Sequence, residues 1–111
     1  MIFTFHHWNP KGWAALTIAL QRAGWRLVNC YVVRSENPVS VHIAGLQSLT
    51  HDAILVLAAQ SDRQWLRPKQ INLKESAAFC RDCATLLGWL LAESRPEADI
   101  YTIWREAITN L

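Results

Sequence analysis

With 111 residues, a formal net charge of +2 and 51% hydrophobic residues, the chain suits one domain able to bury roughly 65% of its unfolded surface. Its positive residues are scattered, which permits contact with nucleic acid without arguing for it, and no run approaches the roughly 18 uninterrupted apolar residues of a membrane span. The start does not resemble a signal peptide, and three cysteines, Cys30, Cys80 and Cys83, are too few for a disulfide framework; a soluble cytoplasmic protein with no membrane contact is expected.

Ile2 to Phe5 is short, aromatic and β-branched and reads as the buried part of a first strand over residues 2–8. Asn9-Pro10 then supplies a helix N-cap and the residue favoured at the first helical position, so the strand feeds directly into a helix over 10–23. Trp13, Leu16, Leu20 and Ala23 recur on one helical face, while Lys11, Gln21 and Arg22 can face water. Gly24 stands where a left-handed C-cap residue is wanted. Residues 25–33 are a second, mostly buried strand interrupted by Arg26 and Asn29. A strand–helix–strand unit normally closes as a right-handed crossover between parallel strands, which places His6, His7, Trp8 and Asn9 at the carboxyl end of the first strand. Open α/β sheets bind their ligands at that edge.

Arg34-Ser35-Glu36-Asn37-Pro38 is a polar turn cluster, and the mixed stretch through His42, Gly45 and Ser48 has no sustained period, so a long loop is expected. The unbroken apolar run within 52–59 predicts a third strand covered on both faces. Residues 60–72 form a polar connection with Trp65-Leu66 as a local anchor. Asn72-Leu73-Lys74-Glu75 has the form of a capping box. Phe79, Cys83, Leu86, Leu87, Leu90 and Leu91 mark one helical stripe; Ser94-Arg95-Pro96-Glu97 repeats the start signal, and Ile100, Ile103, Trp104, Ala107, Ile108 and Leu111 mark another. The expected tail is a helical hairpin, 73–93 and 96–110, packed on the same domain.

Phe3-Thr4-Phe5-His6-His7-Trp8, Trp13-Ala14-Ala15-Leu16, Ala19-Leu20, Ala23-Gly24-Trp25, Ser35-Glu36 and Leu49-Thr50-His51-Asp52-Ala53-Ile54-Leu55-Val56 together resemble the C-terminal part of a class I S-adenosylmethionine-dependent methyltransferase, and most nearly the adenine-specific DNA methylases that carry a Zn-ribbon. The resemblance covers residues 2–59. It implies a partial Rossmann-like α/β sheet in which these segments are the fifth strand, the helix after it, and the sixth and seventh strands of a seven-stranded sheet. The family binds its cofactor through a glycine-rich turn and its target amine through an Asp/Asn-Pro-Pro-aromatic motif. Neither is present: Asn9-Pro10 continues with Lys11 and Asn37-Pro38 with Val39, and Gly12, Gly24, Gly45 and Gly88 form no GxGxxG-like turn. The resemblance therefore implies a distal half that binds no cofactor alone and takes S-adenosylmethionine only when a partner completes it.

An apolar first strand makes a poor free edge, so residues 2–6 are expected to pair with a second copy about a two-fold axis or with a companion chain. The substrate-side candidates are His6, His7, Trp8 and Asn9, together with Ser35 and Glu36 if the second strand ends on the same rim. Each has a plainer reading. Alternation sends one of the two histidines inward and the other to solvent or the helix cap, and a turn is an equal account of Ser35-Glu36. Trp8 could stack on a flipped base, although most of the six tryptophans are core by default. Cys80-Arg-Asp-Cys83 is a lone CxxC inside a helical stripe, better read as core packing than as a metal or redox site. The remaining alternative is a non-catalytic α/β interaction or oligomerisation module.

Overall fold

The computed structural model describes residues 1–43 and 46–108, with side chains described outside 36–48. It is an α/β domain of three strands and three helices in the order β1 (Ile2–Phe5), α1 (Pro10–Arg22), β2 (Arg26–Ile43), β3 (Leu46–Ala58), α2 (Ser76–Glu93) and α3 (Glu97–Ile108). The sheet order is β1-β3-β2, and β3 is antiparallel to both neighbours. Strands β1 and β2 therefore run the same way and are joined through α1, as a crossover requires. They do not touch, because β3 takes the place between them.

The largest departure from expectation lies in residues 34–51. Instead of a long loop, β2 and β3 pair from Arg26↔Ala58 out to Ile43↔Leu46. Asn37-Pro38 does leave its mark. Arg34 pairs with His51 and Val39 with Leu49, so residues 35–38 face Thr50 alone. Proline has no N–H to give a ladder and is accommodated at such irregularities. Local turn chemistry produced a bulge rather than a reversal of the chain.

The first strand stops at Phe5 and lies at the sheet's edge, half exposed rather than buried: Phe3 and Phe5 face the core, whereas Ile2, 67% exposed, and Thr4 face outward. Strand β3 likewise has only one covered face. Leu49, Ala53, Leu55 and Leu57 are buried, and the alternating Ile54 and Val56 remain partly exposed. The period of two on β3 divides an inner face that packs on α2 from an outer face carrying Ile2, Thr4, Ile54, Val56, Tyr31 and Val33.

One core joins all the elements. Trp13, Leu20, Leu27, Phe79, Leu87, Leu90, Ile100 and Trp104 belong to it. Helix α1 buries Trp13, Ala14, Thr17 and Leu20, so its apolar stripe is centred on Thr17, with Leu16 at the margin and Ala23 exposed. It packs on α3 and α2. Gly24 takes φ 81° just past the helix end, the left-handed conformation that its position predicted.

Helix α2 begins at Ser76, three residues later than expected. The Asn72 carboxamide does accept from the N–H groups of Lys74 (2.8 Å) and Glu75 (2.9 Å), but it forms an Asx turn ahead of the helix rather than its cap. Glu75 occupies the N-cap with no side-chain bond. Of the Trp65-Leu66 pair, only Trp65 is an anchor: its indole N–H donates to the Leu27 carbonyl at 2.9 Å, while Leu66 is 86% exposed. The ring lies against Gly88, where any Cβ would sit 2.7 Å from it. The helical hairpin is α2 and α3 as expected, with Leu111, the last residue of the second stripe, outside the described residues. No helix of the described residues is long and apolar enough to cross a membrane.

Candidate functional site

The chain leaves β1 at Phe5 and enters α1 at Pro10, and the four residues between them carry the polar groups at this end of the sheet. Phe5 is level with Ala53, so His6 falls level with Asp52, the next residue out on β3. Their side chains meet: His6 Nδ1 donates to Asp52 Oδ1, with both groups partly exposed. A carboxylate that accepts from Nδ1–H selects that tautomer of an imidazole and leaves Nε2 as the ring's acceptor nitrogen. Val33 of β2 lies on the far side of Asp52.

His7 does different work. Its Nδ1 accepts from the Asn9 N–H at 3.0 Å, and its carbonyl accepts from the Trp13 indole N–H at 2.7 Å. The ring lies between Phe5 and Trp8, stacked on both at 6.4 and 6.3 Å. It also lies over the first turn of α1, where a Cβ on residue 12 would come within 2.4 Å of it. Gly12 is the sequence's provision for that approach. Asn9 is the N-cap, accepting from the Lys11 N–H at 2.8 Å. Thus His7 and Asn9 build the corner, while His6 is partly exposed and Trp8 is 36% exposed.

Ser35 and Glu36 do not join them. With Val33 level with Asp52, Ser35 stands two residues farther along β2, roughly 7 Å beyond the rim, and its side chain is buried. Glu36 lies in β2 where its pairing with β3 breaks, and its side chain is outside the described set. Their expected place on the His6 rim depended on a strand ending at Val33. The residue that sequence reasoning missed as a site member is Asp52. Its signal was a lone carboxylate opening an apolar strand, and only the register identifies it as the partner of His6.

The CxxC is core. Cys80 and Cys83 are buried, and Cys80 Sγ donates to the His51 carbonyl at 3.2 Å. Burial pushes the Cys80 thiol up to about 12, with Asp52 adding to the shift; burial likewise raises Cys83. Thiols held neutral are poor nucleophiles and poor metal ligands. Among the described residues no three His, Cys, Asp or Glu side chains gather as a metal site. No protein family, curated protein or solved structure matches the chain.

Proposed function

We propose that the chain is a component of a nucleic-acid methyltransferase, the distal part of an adenine-specific DNA methylase fold that is inactive alone and works with a companion bearing the S-adenosylmethionine and target-amine motifs. The observation that supports this reading is topological. The segments likened to the fifth, sixth and seventh strands lie side by side in one sheet, the first two run in the same direction through an intervening helix, and β1 is left as an edge to which another strand can add. The helical layer covers one face of that sheet, as in a partial α/β sandwich that a companion would complete. In the assembled enzyme, His6 held by Asp52 and the exposed Trp8 would line the substrate side, beside a cofactor bound by the companion.

The test is reconstitution. The chain alone should give no thermal shift with S-adenosylmethionine or its demethylated product; mixed with a companion holding a glycine-rich turn and an Asp-Pro-Pro-Tyr motif, it should bind cofactor and methylate adenine in DNA. Failure of the mixture to bind cofactor overturns the reading. The other function these residues support is a non-catalytic module that pairs with its own copy. The outward Ile2 beside the open backbone of β1 favours it, and self-association without cofactor binding by any mixture would select it.

A further inference from the structure

A groove along the other edge of the sheet shares no residue with the corner that holds His6, Trp8 and Asp52. Its volume is about 410 Å³, and it is lined by Cys30, Tyr31, Val32, Arg63, Arg81 and Thr85, with Trp65 at one end. Cys30, Tyr31 and Val32 are consecutive in β2. Alternate residues of a strand point to opposite faces, so a cavity touched by three in a row lies along the strand's edge, against its backbone. β2 is an edge strand, with β3 on its other side.

The start of this edge is already occupied. The carbonyls of Leu27 and Val28 accept from the Trp65 indole at 2.9 Å and from Arg63 at 3.4 Å, and the Cys30 N–H donates to its neighbour's Asn29 Oδ1 at 2.9 Å. That last bond shows which way the backbone faces. In an antiparallel ladder the N–H and C=O of one residue point to the same side, and the sides alternate, so Cys30 and Val32 turn away from β3 while Tyr31 pairs with it. The Cys30 carbonyl and both backbone groups of Val32 thus open into the groove.

The walls are cationic. Arg63 is held in place, its guanidinium 4.0 Å above the Trp65 ring and bonded to Asn29 Oδ1 at 2.8 Å. Arg81 projects from α2 across the groove and is exposed. Among the described residues the ion pairs are His6 with Asp52 and Arg22 with Glu97, so neither groove arginine has a carboxylate partner. Burial raises the Cys30 thiol's pKa, and the charges of Arg63 and Arg81 oppose part of that rise.

We propose that this groove takes an extended acidic peptide, which adds as a strand along Cys30–Val32 of β2 and places a carboxylate between Arg63 and Arg81. An open strand edge supplies main-chain affinity in this mode of recognition, and flanking side-chain pockets supply selectivity. Planar guanidinium groups match a carboxylate with two parallel bonds. A phosphate chain would satisfy the arginines but leave the outward backbone groups of Val32 unused, so the peptide is the better occupant. The inference stands apart from the methyltransferase reading, because no residue is shared between them.

Fluorescence anisotropy on the full chain tests it, with the dye-labelled heptapeptide Thr-Val-Glu-Val-Glu-Val-Thr as probe. Binding is expected, and replacing both Glu by Gln should weaken it at least about tenfold, the loss expected of a charge-assisted contact. Arg81→Gln, an exposed substitution whose fold is checked by circular dichroism, should weaken the acidic peptide by a similar factor and leave the Gln peptide unaffected. N-methylation of the peptide's alternate amides should abolish binding, and hydrogen exchange at Val32 should slow when the unmodified peptide binds. Equal binding of the Glu and Gln peptides, indifference to N-methylation, or binding of a single-stranded oligothymidylate in preference to the peptide would each overturn the proposal.

Discussion

Thr17 shows how much one hydroxyl can hold. It is fully buried; its Oγ1 donates to the Trp13 carbonyl at 2.8 Å and accepts from the Trp104 indole N–H at 2.9 Å, joining two rings stacked at 5.3 Å. Thr17→Val keeps the volume but strands a buried indole donor, which costs about 1–3 kcal/mol; Thr17→Ser keeps the bond and loses a methyl group worth about 0.8 kcal/mol. Urea denaturation should rank Ser above Val, and the reverse ranking would remove the hydrogen-bond account. The thiols make a second prediction at this scale. Cys80 ionises near 9 when unfolded and only near 12 when folded, and Cys83 is shifted the same way. The contribution of Cys80 to stability is complete below pH 9 and is lost as pH rises from 9 towards 12, and that of Cys83 is likewise lost in alkali, because the unfolded chain sheds these protons first. Native protein at pH 8 should leave both thiols unmodified by a disulfide reagent that reacts with them in guanidinium.

Among the elements, the α2–α3 junction is the place where backbone conformation costs most. Ser94 ends α2 in the left-handed region, φ 53° and ψ 56°, with its N–H donating to the Leu90 carbonyl. A side chain there is strained by roughly 1 kcal/mol, which glycine would avoid. Ser94→Gly should raise stability by about 1 kcal/mol, a gain in melting temperature of about 4 °C for a domain of this size, read by calorimetry; an unchanged or lower value would mean that the Ser94 side chain contributes more than its strain. The hairpin of β2 and β3 carries the opposite lesson. Residues 34–48 hold every local sign of a loop, yet β2 and β3 pair from Arg34↔His51 through Val39↔Leu49 to Ile43↔Leu46, on both sides of a bulge, since ladder bonds formed across the chain outweigh the preferences of individual turn residues.

At the scale of the whole molecule, the sheet is one-sided. Its outer face carries Ile2, Thr4, Ile54, Val56, Tyr31 and Val33, and Tyr31 is 55% exposed. The outer edge of β1 adjoins this face. If the pairing expected of residues 2–6 is correct, Ile2→Lys should shift sedimentation towards monomer at high micromolar concentration and speed amide exchange in residues 2–5, because a charge on an edge strand opposes further pairing. A wild-type chain that sediments as a monomer throughout would overturn self-pairing and leave the companion chain as the partner to seek.

Local chemistry alone determined much of this protein. Asn9-Pro10 started α1 and Gly24 closed it, the apolar run before His6 made a strand, and the stripes of the tail made a helical hairpin, since capping and periodicity act within a few residues. The same was true of the CxxC, which the place of Cys83 in a stripe assigned to the core. Only the tertiary structure decided that β3 lies between β1 and β2, that His6 meets Asp52 across 46 positions of chain, and that Ser35 stands off their rim. Those outcomes depend on strand register, and register is selected by the burial of a whole face at once, a sum over distant residues that no single stretch of sequence contains.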